Sequence, residues 1–95
     1  MKSRQKQKVW DARKLRKGDS VIYKNIGYGL VSYESGSKDV IGISKGRLFT
    51  DTFDRIGMEW DERKKTWFFD SGLGLRTEIV DPADPVAARE VAEQA

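Results

Sequence analysis

Residues 17–34 read KGDSVIYKNIGYGLVSYE. Val21 and Tyr23 fall on one side of an extended chain, and Ser20, Ile22 and Lys24 on the other. Val31 and Tyr33 alternate in the same way with Ser32 and Glu34. Period-2 alternation, enriched in β-branched and aromatic residues, marks strands with one face toward a core. Gly18-Asp19 is turn chemistry at the entry. Between the two strands lies NIGYG, whose glycines admit positive φ or a close backbone approach, so a tight turn with a bulge is expected. Two strands joined this tightly pair antiparallel, and the rest of the chain is read outward from that hairpin.

SGSKD at 35–39 is a second turn, and Val40, Ile41 and Ile43 form a short third strand. KGRLFTDTF at 45–53 fits either a loop carrying Leu48, Phe49 and Phe53 inward or another short strand. In DRIGMEWD, Ile56, Met58 and Trp60 share one face. DERKK is a charged hairpin turn. TWFFD sets Trp67 and Phe69 opposite Thr66, Phe68 and Asp70, SGLGL turns again, and RTEIV closes the pattern. Asp84 then stands as a helix N-cap with Pro85 at the first helical position. VAAREVAEQA is helix-favouring, with Ala88, Val91, Ala92 and Ala95 as a small-residue stripe. At the other end, MKSRQKQKV is polar and basic and cannot bury enough surface to offset ordering. Trp10 and Leu15 are the first residues able to touch a core. The expected architecture is all-β: a small antiparallel barrel of five to six strands over 17–80. A basic flexible arm at 1–16 precedes it, and an extension at 81–95 with a short helix follows. Closure is expected because it removes exposed strand edges.

With these elements in place, KGDSVIYKNIGYGLV resembles the first hairpin of SH3-like barrels of the Tudor, KOW and CarD-like type. Gly18-Asp19, Val21, Tyr23, Ile26-Gly27, Gly29 and Val31 carry the resemblance. IGMEWDERKKTWFFDSGLGLRTEIV is similar to the later strands of such a barrel. The nearest likenesses are the Tudor-like C-terminal domain of DNA-repair helicases and the RNA-polymerase-interacting domain of CarD and transcription-repair coupling factors. The likeness spans roughly 17–80. The insertion at about 35–53, the arm and the C-terminal helix depart from it. It implies an SH3-like barrel that docks on a protein such as RNA polymerase or a helicase/nuclease.

Charge separates the ends of the chain. The net charge over 95 residues is +3. Residues 1–17 carry eight cations (Lys2, Arg4, Lys6, Lys8, Arg13, Lys14, Arg16 and Lys17) against Asp11 alone, a net +7. The remainder holds ten basic and fourteen acidic side chains, a net −4. The basic character therefore belongs to one segment, which has the charge to neutralise phosphates of DNA or RNA. No recognition helix accompanies it, so base-specific reading is not expected. With neither Cys nor His in the chain, disulfides, thiolate or imidazole metal sites and Ser-His or Cys-His nucleophiles are excluded. Absence of Cys is compatible with a reducing cytoplasm, the expected location. No apolar run approaches the roughly 20 residues of a membrane span. GYG and GLG lack the following helix and Lys of a phosphate loop. Scattered carboxylates (Asp19, Asp51, Asp54, Glu59, Asp61, Glu62 and Asp70) read as turn and solvent-facing charges. Neither an enzyme nor a cofactor is expected.

Among the aromatics, core packing claims Trp60, Phe69 and one of Tyr23 or Tyr33. Tyr28, between two glycines at a hairpin tip, and Phe68, on the face away from Trp67 and Phe69, are the candidate partner contacts. The function expected is a non-enzymatic binding module in nucleic-acid metabolism or transcription. It would dock on a protein machine while the arm contacts nucleic acid. The alternative is a phage- or plasmid-type inhibitor of a host complex that binds protein alone.

Overall fold

The computed structural model describes residues 9–94. Among them seven strands form: β1 (Val21–Gly27), β2 (Leu30–Gly36), β3 (Val40–Ser44), β4 (Arg47–Thr50), β5 (Glu59–Asp61), β6 (Thr66–Asp70) and β7 (Leu75–Val80). A 3-10 turn at Ala12–Lys14 precedes them and helix α1 (Pro85–Glu93) follows. β1 and β2 pair in unbroken register from Gly27 opposite Leu30 to Val21 opposite Gly36. The connection is the two-residue turn Tyr28-Gly29, with φ of 53° and 76°. Positive φ at both central residues is the type I′ geometry, whose twist matches the strands it joins. The expected bulge is absent, and the strands run through the whole of NIG and LVS.

The sheet order is β2-β1-β7-β6-β5, with β3 and β4 forming a separate two-stranded sheet. Opposed residues share a face, so Val21 and Tyr23, Ile79 of β7 and Trp67 of β6 line one side. The β3–β4 hairpin covers that side with Val40 and Leu48, and Met58 joins them. Ala12 and Leu15 complete the cluster from the N-terminal segment. The Trp67 indole N–H donates to the Ala12 carbonyl at 2.8 Å, satisfying the polar atom that burial of a tryptophan brings along. Tyr23 reaches Asp39 with its hydroxyl, and Thr52 Oγ1 donates to the same carboxylate at 2.9 Å. The Tyr23 ring lies across Gly36, where a Cβ would stand 2.7 Å from it. Burial and the neighbouring carboxylate raise the Tyr23 pKa, so the phenol stays protonated as the donor to Asp39.

The opposite face has its own cover. Val31 and Tyr33 sit on the side away from Tyr23, whose partner across the strands is Glu34. Helix α1 packs here against β2 and β1, which accounts for the burial of Ile22 on the non-core face. Asp84 caps the helix, accepting from Val86 N at 2.9 Å and Ala87 N at 3.2 Å. Gln94 Nε2 donates to the Tyr33 carbonyl at 2.6 Å. The buried helix position is Ala87, while Ala88 and Ala92 are exposed. Of the expected stripe, Val91 is half-buried and Ala95 lies outside the described residues.

The expectation of an SH3-like barrel, and with it the Tudor, KOW and CarD-like resemblance, is corrected here. No sheet closes: the five-stranded sheet ends on β2 and β5, and β3–β4 stands apart as a second sheet. The inner face of β2 carries Leu30, Ser32, Glu34 and Gly36, and its one large apolar side chain, Leu30, stands 72% exposed beside the β1–β2 turn. β5 is three residues long because Gly57, at φ 82°, ends its extension. The strand read across DRIGMEWD is cut short there, and Ile56 is 61% exposed. Between the two sheets the backbone pairs at Leu48–Met58, and Arg47 of β4 adds an ion pair to Glu59 of β5 at 4.0 Å.

Candidate binding surfaces

Strand register sets two ends. β1, β7 and β6 run side by side with Gly27 opposite Leu75 and Asp70 opposite Arg76. The β1–β2 turn and the Ser71–Gly74 turn therefore share one end. The β5–β6 turn at 62–65 lies at the other, where the 3-10 turn packs on β6. Seven residues of β1 at about 3.3 Å each separate the ends by roughly 20 Å.

At the first end Tyr28 is 76% exposed. Its ring lies against Gly74, and its hydroxyl donates to the Leu73 carbonyl at 2.8 Å. Leu30 and Leu73 are similarly open, at 72% and 75%. Tyr28, Leu30 and Leu75 wall a groove of about 280 Å³ whose polar lining includes Asn25, Ser32 and Thr77. Thr77 Oγ1 donates to Asn25 Oδ1 at 2.7 Å, and Asn25 Nδ2 donates to Glu34 Oε1 at 2.8 Å. The polar row is thus fixed by its own bonds. Gly27 permits the geometry, since a Cβ there would meet the Leu75 side chain and stand 2.9 Å from the Gly74 carbonyl. A preformed apolar rim over a few oriented polar groups is the usual make-up of a recognition groove.

At the second end, Arg13, Lys14, Arg16 and Lys17 are all exposed. Arg13 lies over the Trp60 ring at 5.5 Å and pairs with Asp11 at 3.5 Å. Asp11 in turn accepts from the Arg13 backbone, and that bond together with the Arg13 charge holds its carboxyl below the ordinary value. Lys2, Arg4, Lys6 and Lys8 lie outside the described residues. Trp10 and Trp60 are half-buried against the core, and Trp60 packs edge-on to Trp67 at 5.0 Å.

Phe68 is half-buried on the helix-bearing face of the sheet, with the Arg76 guanidinium 4.0 Å from its ring centre. Arg76 bridges Glu78 and Asp61, both at 2.6 Å, and Lys64 adds a second bond to Glu78 at 2.8 Å. Burial alone would raise the Glu78 pKa, but these two cations outweigh it and hold the carboxyl below its ordinary value. Asp61 is likewise lowered, first by the backbone N–H of Lys64 and also by Arg76. Phe68 thus serves as a platform for a structural cation rather than an open aromatic.

Among the described residues no group of three or more acidic, His or Cys side chains is placed to hold a metal ion. No helix among them is long and apolar enough to cross a membrane. Comparison with family models, curated proteins and solved structures gave no match. Of the sequence-designated contacts, Tyr28 stands open beside a groove, Phe68 lies under Arg76, and the described cations gather at the far end. The leucines flanking Tyr28 were missed. Their signal was present, since Leu30, Leu73 and Leu75 sit next to turn glycines where a core residue has few partners, but only the register brings them together.

Proposed function

We propose that this chain is a non-enzymatic binding module of nucleic-acid metabolism. One end meets nucleic acid through its N-terminal cations, and the other docks on a protein machine through the Tyr28 groove. The observation that carries this reading is the segregation of the two surfaces by the length of a strand. A cationic end suits phosphates, whose neutralisation releases counterions. An aromatic and leucine rim suits the desolvated centre of a protein interface. Tyr28 strengthens the second half of the reading, because an aromatic ring 76% exposed beside a preformed groove is a suitable anchor for a protein partner. A cytoplasmic location goes with this role.

The test is oligonucleotide binding across a salt series, using the full chain and a chain lacking residues 1–8. The cut stops there because Ala12 and Leu15 belong to the core. The full chain is expected to bind with steep salt dependence. Loss of four cations should lower the slope of log K against log salt by roughly 3. Absence of binding to any single strand or duplex at low salt sinks the nucleic-acid half and leaves the protein-inhibitor alternative.

A further inference from the structure

The turn between β5 and β6 brings a second set of cations to the N-terminal ones. Lys65 and Lys14 line one hollow of about 390 Å³, together with Trp10, Asp11 and Arg13. Arg63 belongs to the same turn and is exposed. Resting on the reading that the N-terminal cations meet nucleic acid, we propose that the phosphate-binding surface continues onto this turn. Arg63 and Lys65 act there beside Arg13 and Lys14, and the ligand is the sugar-phosphate backbone of DNA or RNA.

Three features carry the inference. The first is placement, because the hollow joins residues 51 positions apart in the chain into one cationic surface. The second is preorganisation. Asp61 Oδ1 accepts from Arg63 N at 2.9 Å and Lys64 N at 3.0 Å, and the Asp61 carbonyl accepts from Lys65 N at 2.8 Å. Arg76 holds that carboxylate from the far side. The turn backbone is thereby fixed before any ligand arrives, which lowers the ordering cost of binding. The third is the state of the local acids. Asp11 is occupied by Arg13, and Glu62 accepts from Trp60 Nε1 at 2.8 Å and pairs with Lys65. Lys65 and Glu62 are 59% and 72% exposed, and an ion pair so open is weak enough for a phosphate to displace. Lys64 is left out of the surface because Glu78 engages it. The indole of Trp10 lines the same hollow, and an aromatic beside cations suits nucleic acid better than an acidic peptide.

The experiment measures binding of a labelled oligo(dT), the matching RNA and a mixed duplex to the full chain across a salt series. Arg63→Gln, Lys65→Gln and Glu62→Gln are compared with Lys45→Gln in the β3–β4 turn as control. Arg63→Gln and Lys65→Gln are each expected to lower the salt slope by about 0.7–0.9 with an unchanged melting temperature. Glu62→Gln should tighten binding, and Lys45→Gln should match the parent. If the full chain binds while the Arg63 and Lys65 variants keep the parent slope, the continuation is wrong and the N-terminal segment acts alone. If the full chain binds no nucleic acid, the underlying reading fails as well. Equal competition by polyglutamate would overturn the assignment of a phosphate ligand. The DNA, RNA and duplex arms distinguish the source of the phosphates.

Discussion

Tyr28 holds a conformation that costs an L-residue roughly 1–2 kcal/mol, less for Asn and nothing comparable for Gly. Asn is the favoured residue at this position of a type I′ turn. In exchange, Tyr28 gains a hydrogen bond to Leu73, worth about 0.5–1.5 kcal/mol. Tyr28→Asn removes that bond and relieves the backbone, and the two effects are of similar size and opposite sign. The variant should melt within a few degrees of the parent by circular dichroism. A fall beyond about 10 °C, which is more than 1 kcal/mol in a domain of this size, would make the ring a structural brace and remove the main argument for a docking role.

At the scale of elements, β5, β6 and β7 are bound across their outer face by Asp61, Arg76, Glu78 and Lys64. Glu78 is 4% exposed, so it contributes as a charge with partners. Its folded pKa lies below the ordinary 4.5. The stabilisation is therefore complete above that value and is lost as pH falls through the folded pKa. Glu78→Gln should lower stability by roughly 1.5–3 kcal/mol at neutral pH, the worth of hydrogen bonds to charged groups. It should also flatten the acid limb below about pH 4.5 in a urea-melt series. Equal acid sensitivity in parent and variant would show that the cluster adds no net stability. Nothing in the sequence announced this cluster, because its members come from two strands and a turn. The first hairpin was legible, since period-2 alternation and paired glycines act locally. The helix cap was legible for the same reason: Asp84 reaches only two and three residues ahead. Barrel closure was not legible. Gly-Asp and Gly-Tyr-Gly spell turns in any antiparallel sheet, and closure depends on which face each edge strand keeps apolar. β2 keeps Val31 and Tyr33 on its outer face, away from the core side that Val40 and Leu48 cover.

For the molecule as a whole, the decisive relation is the distance between its two surfaces. Roughly 20 Å of strand separates the Tyr28 turn from the cationic end. That exceeds the Debye length of about 8 Å at physiological salt, so charges at one end are screened from the other. Substitutions this far apart with no shared partner add within about 0.3–0.5 kcal/mol. Tyr28→Asn should therefore leave oligonucleotide affinity within roughly twofold of the parent, with the same salt slope. Combined with Lys65→Gln, it should give the affinity of Lys65→Gln alone. A larger change, measured by anisotropy at one fixed salt concentration, would mean that nucleic acid also occupies the Tyr28 groove. The chain would then be a single extended nucleic-acid surface rather than a link between two partners.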